Sequence, residues 1–134
     1  MNITTTRLFD LVAEDLFAIR ELTKPGSDFR KAIDVGILAG LIAVVEEEGE
    51  IIGWCRTQEW IEGSGESWET LEAFVDEEHR MRGIASAAAR TLYAAHFYET
   101  GSSVAVFTPE MMLVARSAGL HPTLFKREER WVRA

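Results

Sequence analysis

The sequence predicts a mixed α/β chain of the α+β kind, and three observations carry that prediction. Leu41-Ile42-Ala43-Val44-Val45, Ile51-Ile52-Gly53-Trp54-Cys55-Arg56 and Trp68 to Val75 are strand-like runs separated by short polar or glycine-containing segments. Ile84 to Phe97 is rich in alanine and sets Ile84, Ala88, Leu92 and Ala95 at helical three- and four-residue spacings. Between the last strand and that helix lies Arg80-Met81-Arg82-Gly83-Ile84-Ala85, a junction at which a chain can bind phosphate.

Taken in order, Asn2 to Arg7 is threonine-rich around Ile3 and suits a first strand. Ala13 to Leu22 carries Leu16, Ile19 and Arg20 at helical spacing, and Lys24-Pro25-Gly26 stops it. Ser27 and Asp28 can cap a second helix through Asp34, whose pattern fades around Gly36 and Gly40. Glu47-Glu48-Gly49-Glu50 joins the Leu41–Val45 strand to the Ile51–Arg56 strand, and Gly63-Ser64-Gly65 leads into Trp68–Val75, so the three form a meander. On the last of these, Leu71, Ala73 and Val75 share one face. Gly101-Ser102 ends the long helix and Ser103 to Phe107 is a short strand. Thr108-Pro109-Glu110 then starts a helix over Met111 to Ala118, which Gly119 ends, and Phe125 with Trp131-Val132 supplies final strand material.

At 134 residues, with 47% hydrophobic and 27% charged residues, this is one domain over 1–134, able to bury a core without disulfides. Cys55 is the only cysteine, which excludes an intrachain disulfide and a cysteine-based metal site. No basic-then-apolar leader and no membrane-length apolar run is present, so a cytoplasmic protein with no membrane partner is expected. The net charge of −8 argues against nucleic-acid binding. Residues 1–67 hold 6 Lys/Arg against 13 Asp/Glu, giving −7, whereas residues 68–134 hold 8 against 9, giving −1.

The N-terminus of a helix presents unpaired N–H groups and the positive end of its dipole, and a glycine there lets an anion approach closely. Arg80 and Arg82 add positive charge suited to a diphosphate, and Ser86 adds a hydroxyl. The segment Ala73 to Ala85 resembles the acetyl-CoA-binding segment of the GNAT superfamily of N-acetyltransferases. There a strand ending in valine leads to Arg/Gln-x-x-Gly-x-Gly/Ala, and Arg80, Gly83 and Ala85 fill the three specified positions. The element order matches that fold over nearly the whole chain.

The resemblance implies the GNAT fold, with a mixed central sheet and helices on both faces, and acetyl-CoA as acetyl donor. It implies that backbone amides of Arg80, Met81, Arg82, Gly83, Ile84, Ala85 and Ser86 surround the pyrophosphate, and that Phe74 and Val75 orient the acetyl carbonyl. It implies, too, that the strand ending at Val75 splays from the Val104–Phe107 strand to admit the pantetheine. Thr108 falls where many members carry a pantetheine-contacting asparagine. The catalytic base of some members lies eleven residues before the motif arginine, which is Glu69; Glu72, on the opposite strand face, is a weaker candidate. The usual tyrosine acid is replaced by Ala115, and Leu120 replaces an aromatic. Asp76-Glu77-Glu78 brings three carboxylates to the loop, which lowers the expected cofactor affinity.

The expected activity is direct acetyl transfer to a primary amine. The acceptor is a small molecule or a protein, with a cationic amine favoured by the acidic first half, and a homodimer is left open. The alternative is a GNAT-fold module of weak or no activity that binds a partner or serves as a structural subunit. Trp54, Trp60 and Trp68 form either an aromatic acceptor pocket or, the simpler reading, packing; Cys55 reads as a small core residue.

Overall fold

The computed structural model describes residues 1–61, 67–100, 104–106, 109–118, 122–124 and 131–133; side chains at 59–61, 67–70, 96–100, 104–106, 109, 112, 122–124 and 131–133 are outside the description. The elements run β1 Asn2–Arg7, α1 Ala13–Leu22, α2 Asp28–Asp34, β2 Leu41–Glu47, β3 Glu50–Ile61, β4 Ser67–Val75, α3 Ile84–Thr100, β5 Val104–Val106, α4 Pro109–Ser117, β6 Pro122–Leu124 and β7 Trp131–Arg133. Short 3-10 turns occupy Leu8–Asp10 and Glu77–His79. The strands form one sheet in the order β1-β2-β3-β4-β5-β7-β6, antiparallel throughout except for β4 beside β5. The predicted meander is β2-β3-β4, and the helices cover both faces.

Alternation along β2 divides the interior in two. Leu41, Ala43 and Val45 join Leu71 of β4, Ala88, Ala89 and Leu92 of α3, and Ala115 of α4 on one face. Ile42 and Val44 join Leu8, Ile19 of α1, Phe29 of α2 and Trp54 of β3 on the other. A bulge keeps β3 in step: Val45 pairs Gly53 while Glu46 pairs Ile51, so Ile52 is an extra residue. Ile52 therefore packs toward α3, whereas Ile51 and Trp54 pack toward α1 and α2.

Trp54 fastens the second face. It is 1% exposed, its ring meets Phe29 edge-on at 4.6 Å, and it stacks on Phe74 at 6.4 Å. Its Nε1 donates to Thr23 Oγ1 at 3.1 Å, and that hydroxyl donates to the Ile19 carbonyl at 2.7 Å. The indole is thus tied to the C-terminus of α1. Of the three tryptophans considered for an acceptor pocket, Trp54 is packing. Trp60 and Trp68 are register partners across β3 and β4, with side chains outside the description.

The second helix ends where its sequence pattern fades. Ile37 N–H reaches the Ala32 carbonyl at 2.9 Å and Gly36 N–H reaches Ile33 at 3.1 Å, around Gly36 at φ +77°. This closes the last carbonyls of α2 in a Schellman turn, and Ser27 Oγ caps its start by accepting from Arg30 N–H. β3 continues to Ile61, five residues beyond the Ile51–Arg56 expectation, because its pairing with β4 runs unbroken to Ile61↔Ser67. The polar Gln58 and Glu59 hid that extension from pattern reading. Phe125, expected as strand, lies outside the described residues; β6 ends at Leu124.

Candidate active site

β4 pairs with β5 only at Glu69↔Val104 and Thr70↔Ala105. Beyond that point β4 runs on through Leu71 to Val75 without a paired strand on that edge among the described residues. The main-chain groups facing this edge follow from parity. Asp76 N–H donates to the Ile52 carbonyl at 2.8 Å, and the Phe74 carbonyl lies so near Gly53 that a Cβ there would meet it at 3.0 Å. Phe74 is therefore turned toward β3. Val75 has the opposite parity: its carbonyl accepts from Arg80 Nε at 2.9 Å, away from β3, and its N–H faces the same open edge. Of the expected Phe74/Val75 pair, only Val75 offers its amide there; Phe74 contributes its ring, with the Arg80 guanidinium 5.4 Å above it.

The chain leaves β4 through Asp76 to Arg82. His79 N–H bonds to the Asp76 carbonyl and Arg80 N–H to Glu77, which coils the loop. Met81 and Gly83 both adopt left-handed backbone, at φ +66° and +74°. Ala87 N–H donates to the Gly83 carbonyl at 3.0 Å, so Gly83 is the residue from which α3 springs. The N–H groups of Gly83, Ile84, Ala85 and Ser86 consequently have no acceptor within the helix. A side chain on Gly83 would meet nothing within 4 Å, so the space beside Gly83 at the head of α3 is open. Ile84 contributes backbone only, since its side chain is buried in the α3 core, and Met81 is fully exposed.

The loop's arginines differ in their commitments. Arg82 Nη1 and Nη2 each donate to Glu47 at 2.8 Å, a fork-on-fork pair reaching back to the end of β2. The Arg82 hydrogen bond holds the Glu47 carboxyl below the usual glutamate range, against a smaller opposing effect of desolvation. His79 Nδ1 lies 3.2 Å from Asp76 Oδ2 and its Nε2 lies 3.8 Å from Glu47, so Asp76, His79, Glu47 and Arg82 form a chain under the loop. Arg82, read from the sequence as positive charge for a diphosphate, is paired with Glu47. Nothing in the sequence signals this pairing beyond the acidic run Glu46-Glu47-Glu48, because the partners stand 35 residues apart.

Glu69 occupies β4 opposite Glu59 on one side and Val104 on the other, at the last paired position but one before β5 departs. Its side chain and the whole of Thr108 lie outside the described residues. Glu72 is on the α2 side of the sheet and is tied to Arg56, whose Nε and Nη2 approach Glu72 Oε2 at 3.0 and 2.8 Å. Arg56 also donates from Nη2 to Gln58 Oε1 at 3.0 Å and lies 4.1 Å over the Phe29 ring. Burial pulls the Arg56 pKa down from its usual range, and Glu72 opposes that shift. Beside Arg56 a cavity of about 370 Å³ opens between α2 and β3.

Ala115 is 2% exposed in the α3/α4 core, so the position of the family's tyrosine acid is a packing position here. Arg90 of α3 donates to the carbonyls of Ser117 and Ala118 and fastens the end of α4. Cys55 is fully buried, and burial pushes its thiol up to about 12, which leaves it no nucleophilic role at neutral pH. Among the described residues no helix is long and apolar enough to cross a membrane.

A strand leaving its parallel neighbour beside an open helix N-terminus defines an acyl-CoA-handling fold, and comparison with known proteins agrees. The model of the acetyltransferase (GNAT) family matches residues 6–109, most of the chain, and the protein belongs to that family. Among solved structures, a GNAT family acetyltransferase from Brucella melitensis in complex with acetyl-CoA superposes with a TM-score of 0.70 at 16% identity, covering 99% of this chain and 88% of that one. An acyl-CoA N-acyltransferase from Pseudomonas aeruginosa gives 0.65 at 15% identity, covering 99% of both chains. A phosphinothricin acetyltransferase from Sinorhizobium meliloti in complex with acetyl-CoA gives 0.63 at 19% identity, over 98% of this chain and 86% of that one. No protein of curated function matches this sequence.

Proposed function

We propose that the protein is an acetyl-CoA-dependent N-acetyltransferase that transfers acetyl directly to a primary amine. The observation that carries this reading is the Val75 amide facing the open edge of β4 one short loop before the first amides of α3, which have no partner among the described residues. When bound, acetyl-CoA supplies a thioester whose acyl carbon is transferred to the amine as the thiolate departs. The amides of Gly83, Ile84, Ala85 and Ser86 hold the pyrophosphate, with the helix dipole behind them. Arg80 adds charge from its free guanidinium edge while its Nε stays on Val75, and Arg82 contributes the N–H groups that Glu47 leaves unused. Val75 N–H stabilises the carbonyl oxygen as it gains charge. Glu69 takes the amine's proton, directly or through water, and Thr108 approaches the pantetheine. The thiolate leaves without a tyrosine acid and takes its proton from solvent, which a good leaving group tolerates.

Two observations favour the module of weak or no activity as a second reading: Ala115 in the core and the Glu47–Arg82 pair beside the phosphate site. Calorimetric titration with acetyl-CoA, followed by free-thiol release across a panel of amines, separates the two. Binding in the micromolar range with amine-dependent thiol release supports the enzyme. Binding without release on any amine, or no binding, replaces it with the module.

A further inference from the structure

Two residues other than glycine adopt left-handed backbone among those described, Glu48 at φ +53° and Met81 at φ +66°. Glu48 precedes Gly49, at φ +80°, in the two-residue turn between Glu47 and Glu50, where a type I′ hairpin turn requires positive φ at both positions. Met81 stands in the phosphate loop. Arg80 ahead of it, at φ −71° and ψ 165°, completes the dihedral order of a type II turn, which favours glycine or asparagine at the position Met81 holds. A side chain such as methionine's disfavours that region by roughly five- to thirtyfold. Packing does not compensate, because Met81 is fully exposed. Nor do Met81 and Arg82 make a main-chain hydrogen bond to other main chain among the described residues.

The loop is held instead through the arginines on either side of Met81. Arg80 Nε is bound to the Val75 carbonyl at the end of β4, at 2.9 Å. Arg82 grips Glu47 at the end of β2 with two bonds of 2.8 Å. β2 and β4 flank β3, so both anchors belong to the sheet. Val75 lies on the loop's own strand, five residues before Arg80, whereas Glu47 ties the loop to a separate part of the chain. Glu47 also lies 3.8 Å from His79 Nε2, and His79 Nδ1 lies 3.2 Å from Asp76, so one carboxylate meets the loop on both sides of Met81. Gly83, the first residue of the α3 phosphate site, follows Arg82 directly.

We propose that Glu47 is a positioning residue for the cofactor: through Arg82 it holds Met81 left-handed, and so keeps the Gly83 N–H in line with the α3 amides that receive the diphosphate. The identity of the ligand rests on the acetyltransferase reading; the hold on the loop does not. Charge alone predicts the opposite effect of Glu47. Its carboxylate repels a phosphate, and removing it would also free Arg82, so a purely electrostatic role makes its loss tighten binding. Positioning makes its loss weaken binding, because Met81 then relaxes to negative φ and turns the peptide that carries the Gly83 N–H. The two roles therefore differ in sign.

The test has two readouts on the full chain. Carbon-13 Cα and Cβ shifts of labelled methionine, with Met81 assigned by its loss in Met81→Gly, report the backbone of the loop without any ligand. Calorimetric titration reports acetyl-CoA affinity. Glu47→Gln should move the Met81 shifts out of the left-handed range and weaken acetyl-CoA binding by about fivefold or more. On the Met81→Gly background the same substitution should cost about twofold at most, since glycine visits positive φ as readily as negative. Glu46→Gln removes an equal charge from the neighbouring strand position and should leave the Met81 shifts as they are. Unmoved Met81 shifts in Glu47→Gln, tighter acetyl-CoA binding in that variant, an equal loss on the two backgrounds, or a Met81 response to Glu46→Gln would each overturn the proposal. The two readings fail separately. Met81 shifts that answer to Glu47→Gln in a protein that binds no acetyl-CoA refute the acetyltransferase reading alone, whereas acetyl-CoA binding with an unresponsive Met81 refutes the positioning role alone.

Discussion

Gly83→Ala separates the stability role of Gly83 from the phosphate-binding role proposed for the α3 amides. Gly83 sits at φ +74°, and a Cβ there would meet nothing within 4 Å. An alanine therefore brings conformational strain without a clash. Left-handed backbone costs an L-residue roughly 1–2 kcal/mol, and the reduced freedom of the unfolded chain offsets about 0.4–1 kcal/mol of that. The net loss is about 1 kcal/mol. The same open space is where the phosphate must approach, so a methyl group there displaces at least one amide–phosphate bond, worth about 1.5–3 kcal/mol to a charged partner. Acetyl-CoA affinity should fall by about ten- to a hundredfold. Gly26 supplies a matched control, with φ +82° and the same empty surroundings in the α1–α2 turn. Gly26→Ala should lose a similar stability in urea melts and bind acetyl-CoA as the parent does. If Gly83→Ala bound the cofactor within twofold of the parent, the α3 amides would not be the phosphate site. If it lost several kcal/mol more than Gly26→Ala, Gly83 would serve packing instead.

Thr23→Val removes the acceptor for the buried Trp54 Nε1–H and should cost about 1–3 kcal/mol in equilibrium unfolding, with Thr23→Ser restoring most of it. Glu47→Gln bears on pH: Glu47's pKa is lowered in the folded state, so its contribution is complete above the ordinary value of 4.5 and is lost as pH falls through the lowered one. The parent's stability should therefore decline with acid more steeply below pH 4.5 than that of Glu47→Gln, and parallel declines would refute the Arg82–Glu47 pair. Cys55, with its thiol at about 12, is ionised in only about one molecule in ten thousand at pH 8. An aromatic disulfide reagent should leave native protein unlabelled and titrate one thiol in denaturant, so the thiol-release assay is free of background from this residue.

The sequence is legible where the physics is local. Strand alternation at Leu71, Ala73 and Val75, the helical spacing of Ile84, Ala88 and Leu92, and the Ser27 cap all rest on residues within one or two turns of each other, and each stands in the structure as read. The helix start at Gly83 was legible for the same reason, since a glycine between a strand and a helical pattern is a local signal. The end of α2 was harder to read because its closing turn depends on backbone bonds around Gly36 rather than on side-chain periodicity.

The sequence by itself determined the element order, through hydrophobic period and turn chemistry over a few residues, and the family, through the resemblance that Arg80, Gly83 and Ala85 carry. Only the tertiary structure decided which groups face one another. Glu47 pairs with Arg82 across 35 residues, Glu72 and Gln58 hold Arg56 in place, and strand parity gives the open edge of β4 to Val75 rather than Phe74. Those outcomes depend on strand register and on the bulge at Ile52, which shift side chains between faces by one residue at a time. No pattern confined to one segment encodes the register between two.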